Sequence, residues 1–169
     1  PYGTLGKGPR RVRLDSNFLV LTEAFAAELW SRTGTPAALV SAGFYVEKAG
    51  RHSEGRAFDI DSIWYADKPL ITLHAPEDAK RYLAVEGIIR RYFGTVLNHW
   101  YNKQHRDHWH VDNGSPIRWD SNSRSRVVFV QAALHYIFGK QQVDIDGKWG
   151  NVSASALNEV VPPVDFEWL

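Results

Sequence analysis

Two short stretches with an alternating pattern decide the fold: Arg56-Ala57-Phe58-Asp59-Ile60-Asp61 and His108-Trp109-His110-Val111-Asp112. Residues two apart on a strand leave the same face of a sheet, so each stretch predicts a strand. On the first strand, Asp59 leaves one face and its apolar neighbours the other. On the second, both histidines leave one face, and Trp109 points towards the core. Each predicted strand therefore carries titratable groups opposite an apolar face.

Helical periodicity flanks these strands. Apolar residues recur at helical spacing from Asp15 to about Trp30 and again from Pro76 to Phe93. Asp15 or Ser16 can cap the first helix. We therefore expect an α+β fold, with a small antiparallel sheet and flanking helices.

The chain changes character near residue 118. Residues 118–126 are polar and predict a linker, and two short helical patterns follow at 127–138 and 153–160. The expected organisation is a body at 1–117, the linker at 118–126 and a small helical subdomain at 127–169.

Composition excludes several classes of protein. With 44% hydrophobic and 23% charged residues in 169, the chain is an ordinary globular one rather than a disordered one. A net charge of +1 gives no sign of a nucleic-acid partner. No stretch approaches the ~18 apolar residues of a membrane span, and we expect a monomer. Cysteine is absent, so any metal must be bound by His, Asp or Glu.

Histidines are concentrated in the second half of the predicted body. Four of the seven lie within residues 99–110, which favours a site over simple packing. His52 and Asp59 form a second pair, with Gly55 allowing a sharp turn between them. Two ligands from this pair and one from the later strand would make three. Three protein ligands leave a fourth tetrahedral position for water, as in catalytic zinc sites.

The two histidine-containing segments resemble the motifs of a known superfamily. His52-Ser53-Glu54-Gly55-Arg56-Ala57-Phe58-Asp59 matches the H-x-x-G-x-A-x-D motif of zinc D-Ala-D-Ala carboxypeptidases and murein endopeptidases. His105-Arg106-Asp107-His108-Trp109-His110 is similar to the H-x-D-H-x-H motif of penicillin-insensitive murein endopeptidases and extensin-like C-terminal domains. The resemblance covers roughly Leu39 to Asp112 and implies a Hedgehog- or DD-peptidase-like sheet.

The resemblance implies a role for each matching residue. The zinc (Zn²⁺) ligands would be His52, Asp59 and His110. His108 would be the base or would stabilise the transition state, with Asp107 as the second candidate for the base. On an ideal strand Asp107 points away from the two histidines, unless the strand starts only at His108 or contains a bulge. The candidates for substrate binding are Arg51, Lys48 and His105.

The C-terminal part resembles the peptidoglycan-binding helical repeat, whose hallmark is L-Q-x-x-L, then D-G-x-x-G, then T-x-x-A. The matching segments are Val130-Gln131-Ala132-Ala133-Leu134, Val143 to Gly150, and Ser153-Ala154-Ser155-Ala156. The alternative is that this part only supports the body.

Three functions follow as hypotheses. The leading one is a zinc metallopeptidase, a carboxypeptidase or endopeptidase, that hydrolyses peptidoglycan stem peptides or cross-links. Such an enzyme would be secreted, periplasmic or bound to the cell wall, of bacterial or phage origin. The second is a non-catalytic peptidoglycan-binding module on the same fold. The third is a metal-dependent nuclease, which the balanced charge disfavours.

Overall fold

The computed structural model describes residues 12–34, 38–41, 43–45 and 49–161. Its α+β class confirms the prediction. The helices are α1 (Ser16–Thr33), α2 (Ala79–Arg90), α3 (Arg124–Tyr136) and α4 (Asn151–Val160). The strands are β1 (Ala38–Val40), β2 (Ala57–Ile60), β3 (Ser62–Trp64), β4 (Leu70–Ile71), β5 (Thr95–Leu97) and β6 (Trp109–Asp112). Two short 3₁₀ helices span Thr72–His74 and Lys103–His105.

The strands form two antiparallel three-stranded sheets, in the orders β1-β3-β4 and β2-β6-β5. Only Asp61 separates β2 from β3, so the chain passes directly from one sheet to the other. The alternation changes phase at this point, because Ile60 and Ile63, three residues apart, are both fully buried. This bend explains why two small sheets form where the sequence predicts one.

Strands β2 and β6 pair in a register that places Asp59 opposite His110 and Ile60 opposite Trp109. β6 begins at Trp109, one residue later than the alternating pattern predicts. Trp109 is fully buried, which confirms its predicted orientation towards the core. One face of this sheet is therefore apolar, and the other carries Asp59 and His110.

Helix α1 covers the apolar face with aromatic side chains. Asp15 is its N-cap, as predicted, and its carboxylate accepts hydrogen bonds from the backbone N–H groups of Asn17 and Phe18, both at 3.1 Å. Phe18 packs on Phe58 at a ring-centroid distance of 5.8 Å. At 18 residues α1 is the longest helix of the described ranges, and none of the helices there is long and apolar enough to cross a membrane.

Helix α2 anchors β6 from behind. The ring of Tyr82 stacks on Trp109 at 4.2 Å. Glu86 is fully buried and pairs with Arg90 at 2.8 Å, while its carboxylate accepts hydrogen bonds from the Asn98 amide at 3.0 and 3.1 Å. Because every partner of this buried carboxylate is in place, the network stabilises a single position for the strand that carries His110.

The C-terminal helices pack onto this body. Helix α3 begins at Arg124, inside the segment predicted to be a linker, and Ala132 of α3 is part of the main hydrophobic core. Leu134, Val143 and Ala156 form a second, small cluster between α3 and α4. The division at 118–126 stays a prediction.

Gln131 explains the motif of this C-terminal part. Its buried amide nitrogen donates to Asp146 Oδ1 and to the Lys148 carbonyl, both at 3.0 Å, and to Ser153 Oγ at 3.2 Å. Its amide oxygen accepts the backbone N–H of Gly147 at 2.8 Å. One side chain on α3 thus holds the Asp-Gly turn and the first turn of α4 together.

Replacing Gly55 with alanine is expected to destabilise the protein by more than the same change at Gly139. Both glycines have a φ of 69°, where a Cβ costs about 1–2 kcal/mol. A Cβ on Gly55 would also lie 2.9 Å from the Asp15 backbone nitrogen, whereas one on Gly139 would meet nothing within 4 Å. Urea unfolding of Gly55→Ala and Gly139→Ala measures the difference, which we expect to be at least ~1 kcal/mol. Equal losses would show that the loop moves away from α1 at no cost.

Candidate metal centre

Three predicted ligand residues bring one donor atom each to a common point. Oδ1 of Asp59 lies 3.4 Å from Nε2 of His52 and 3.0 Å from Nδ1 of His110. The two histidine nitrogens are 3.2 Å apart. Tetrahedral ligands bound at ~2.0–2.1 Å stand about 3.3 Å from one another, so these atoms have the spacing of three corners of a tetrahedron. The group could therefore hold a metal ion.

Different parts of the chain position the three residues. Asp59 and His110 face each other across β2 and β6, and the backbone N–H of Asp59 donates to the Gly43 carbonyl at 2.9 Å on the other side. His52 lies in a series of tight turns that ends at Gly55. The Gly55 carbonyl accepts the backbone N–H of Asp15 at 2.9 Å, which fixes the loop on the start of α1.

Hydrogen bonds on the far side of each ring leave the inner nitrogens available. Nδ1 of His52 donates to the Phe44 carbonyl at 2.8 Å, because a carbonyl can only accept. Nε2 of His110 donates to Oδ2 of Asp112 at 3.1 Å. Histidines that bind metals commonly use their second nitrogen in this way, which sets the tautomer and the orientation of the ring. The donor set therefore suits a metal ion in its chemistry as well as in its spacing.

The electrostatics concentrate negative charge at this point. Burial opposes ionisation of Asp59, but hydrogen bonds from His110 and His52 outweigh it and hold the pKa of Asp59 well below its usual range. Burial also disfavours the charged form of His110, yet its hydrogen bonds to Asp112 and Asp59 raise its pKa to about 9. The two carboxylates thus attract positive charge to this point, whether it is a proton or a metal ion.

His108 lies beside the three ligands without joining them. Its Nδ1 donates to Oδ1 of Asp107 at 2.8 Å, and its Nε2 lies 3.9 Å from Oδ1 of Asp59. Since β6 starts only at Trp109, Asp107 stands outside the strand and can turn back towards His108. Oγ1 of Thr72 contacts the carbonyl oxygens of both Asp61 and Asp107, which ties this segment to the junction of β2 and β3.

His105 and His99 occupy different positions in the histidine-rich segment. The ring of His105 lies 5.2 Å from that of His108 and 6.1 Å from that of His110, so it borders the site. Burial, helped by the nearby His108, lowers the pKa of His105 to about 4, so that it is neutral at pH 7. His99 instead supports the loop, because its Nδ1 donates to the Arg106 carbonyl at 2.7 Å.

The two cationic candidates for substrate binding, Arg51 and Lys48, are not placed among the proposed ligands by the structure. Nη1 of Arg51 pairs with Glu54 at 2.7 Å, and a Cβ on Gly114 would lie 2.9 Å from its Nε. The guanidinium therefore lies between Glu54 of its own loop and the turn at Gly114, next to Asp112. Lys48 falls outside the described residues.

Two carboxylates of the site, Asp61 and Asp112, are not among the residues predicted from the sequence. Asp112 orients His110, and its Oδ1 accepts the backbone N–H of Gly114 at 2.6 Å. Asp61 is half-buried near His108, and burial raises its pKa to about 6. The alternation Asp59, Asp61 and His110, Asp112 is a signal for both, because it places each acid two residues after a predicted ligand.

Comparison with known proteins gives one match. Residues 41–120, which contain the three ligands and His108, match the family model for the extensin-like protein C-terminus. No curated protein and no solved structure matches the chain. The match agrees with the extensin-like part of the expected resemblance, and it covers the body rather than the C-terminal helices.

Asp112→Asn is expected to weaken metal binding by about 10- to 100-fold, because His110 loses the carboxylate that orients its ring. The exposed Asp67 offers a matched control, and Asp67→Asn should leave the affinity unchanged. Competition with a chromophoric chelator measures both constants. An unchanged affinity in Asp112→Asn would mean that the negative charge of Asp112 is not needed, because the amide oxygen of asparagine can still accept the Nε2–H of His110.

Proposed function

We propose that this protein is a zinc-dependent metallopeptidase that hydrolyses peptide bonds in peptidoglycan stem peptides or cross-links. The observation that carries the proposal is the position of His108 beside the three proposed ligands. Beside a group of three ligands, His108 directs a free nitrogen towards Asp59 at 3.9 Å, while its other nitrogen is held by Asp107 at 2.8 Å. A purely structural metal site has no need of such a proton acceptor, since four protein ligands usually close it.

In the proposed reaction, His52, Asp59 and His110 hold the metal. A bound zinc ion would lower the pKa of water to ~7 and polarise the scissile carbonyl. The match to the extensin-like family agrees with the resemblance of the second motif, and the substrate class is taken from that resemblance.

His108 and Asp107 would act together on the proton. Nε2 of His108 accepts the proton of the attacking water and then returns it to the nitrogen of the leaving amine, so that the proton balance closes. Asp107 accepts the Nδ1–H of His108, which keeps Nε2 unprotonated at the start and stabilises the imidazolium that forms. His105, neutral at pH 7, can accept a hydrogen bond from the substrate through Nε2, since its Nδ1 is engaged with Asn102 at 2.7 Å.

Metal analysis followed by digestion tests the proposal. The purified chain is assayed for zinc and for iron, because imidazole and carboxylate donors suit both. It is then incubated with purified peptidoglycan, and mass spectrometry identifies the released peptides. Bound zinc and newly formed peptide termini would support the proposal. A zinc protein that binds peptidoglycan and releases nothing would favour the binding module.

His108→Ala is expected to keep the metal and to lose about 10²- to 10⁴-fold in kcat, the usual contribution of a general base. His110→Ala should lose the metal itself, because it removes one of three ligands. Asp107→Asn separates the two candidates for the base. If His108→Ala keeps its activity while Asp107→Asn loses it, Asp107 rather than His108 is the base.

A further inference from the structure

A line of side chains leads from the metal centre to the C-terminal helices. The ring of His105 lies 6.1 Å from that of His110, and the ring of Tyr101 lies 5.7 Å from that of His105. The guanidinium of Arg124, the first residue of α3, stands over Tyr101 at 5.7 Å. Extended peptide advances ~3.4 Å per residue, so about five residues of substrate would cover this path.

Contacts on two sides hold Arg124 in place. The Tyr101 ring lies under its guanidinium, and the Asp-Gly turn of the C-terminal part lies against its stem. A Cβ on Gly147 would lie 2.7 Å from Cγ of Arg124, which shows how closely the two pack. The same turn is fixed by Gln131, so the C-terminal helices determine where this cation stands.

The charge of Arg124 is not matched by a carboxylate in the described residues. In the ranges that the structure describes, no carboxylate lies within ion-pair distance of it, although the side chain is exposed at the end of the path. A cation in the first turn of a helix is also disfavoured by the helix dipole, and α3 has no acidic residue there to compensate. Stacking on an aromatic ring leaves the N–H groups at the edge of a guanidinium free to bind a carboxylate.

We infer that Arg124 determines substrate specificity by binding a free carboxylate of the substrate up to about five residues from the bond that is cut. The inference rests on the proposed function and adds the substrate class, an acidic peptide. It also gives the C-terminal helices a part in the peptidase site, through an arginine placed at the end of the path from the metal.

The test uses synthetic peptides in which one glutamate moves through successive positions on either side of the cleavage point. Each peptide has a counterpart with glutamine at the same place. The full zinc-loaded chain should prefer glutamate by about fivefold in kcat/KM at one position, as an exposed ion pair allows. Arg124→Gln should abolish this preference, and Arg124→Lys should keep part of it.

Arg32→Gln is the matched control. It removes the same charge from an exposed ion pair on α1, on the opposite face of the sheet, and should leave the preference intact. The preference should also decrease with added salt. The absence of any preference in the unmodified chain, or its persistence in Arg124→Gln, would overturn the inference.

A binding measurement separates this inference from the proposed function. Fluorescence anisotropy of the labelled glutamate and glutamine peptides is recorded with His108→Ala, which keeps the ligand set. A preference that depends on Arg124, together with an unmodified chain that releases nothing from peptidoglycan and cuts none of the peptides, would support the carboxylate site and count against the peptidase. Equal binding of both peptides would overturn the carboxylate site whether or not the protein is a peptidase.

Discussion

The pairing of β2 with β6 places Asp59 opposite His110, and the candidate metal centre depends on this register. A shift of β6 by one residue would reverse the faces of that strand and send His110 into the apolar core. The core prevents that shift, because Trp109 and Phe58 fill it from neighbouring positions on the same two strands. The apolar side chains of these strands therefore position the polar ones.

Residues from outside the two strands complete the site. The loop with His52 is held by Asp15 at the start of α1, and the Asp107–His108 segment is held by Thr72. Each of these contacts joins residues 30 or more positions apart in sequence. The site is therefore coupled to the packing of the whole body, and a loss of stability at α1 would also loosen a ligand.

The C-terminal helices pack more closely on the body than the predicted linker at 118–126 suggests. The polar segment does not end in a free connection, because α3 begins at Arg124, and Arg126 of α3 donates to the Gly94 carbonyl at 3.1 Å. Both the predicted peptidoglycan-binding role and the alternative of simple support remain compatible with this packing. Polarity alone predicts exposure, and an exposed segment can still start a helix whose apolar face is buried.

Local patterns in the sequence determined the two strands, the N-cap of α1, the inward orientation of Trp109 and the candidates for ligation. Alternation and capping depend on neighbouring residues, so a single sequence contains them. Only the tertiary structure decided the bend at Asp61, the orientation of His52 by the Phe44 carbonyl, the contact of Asp107 with His108 and the place of Arg124 beside Tyr101. These features depend on where the backbone turns and on which distant segments meet, and local periodicity carries no information about either.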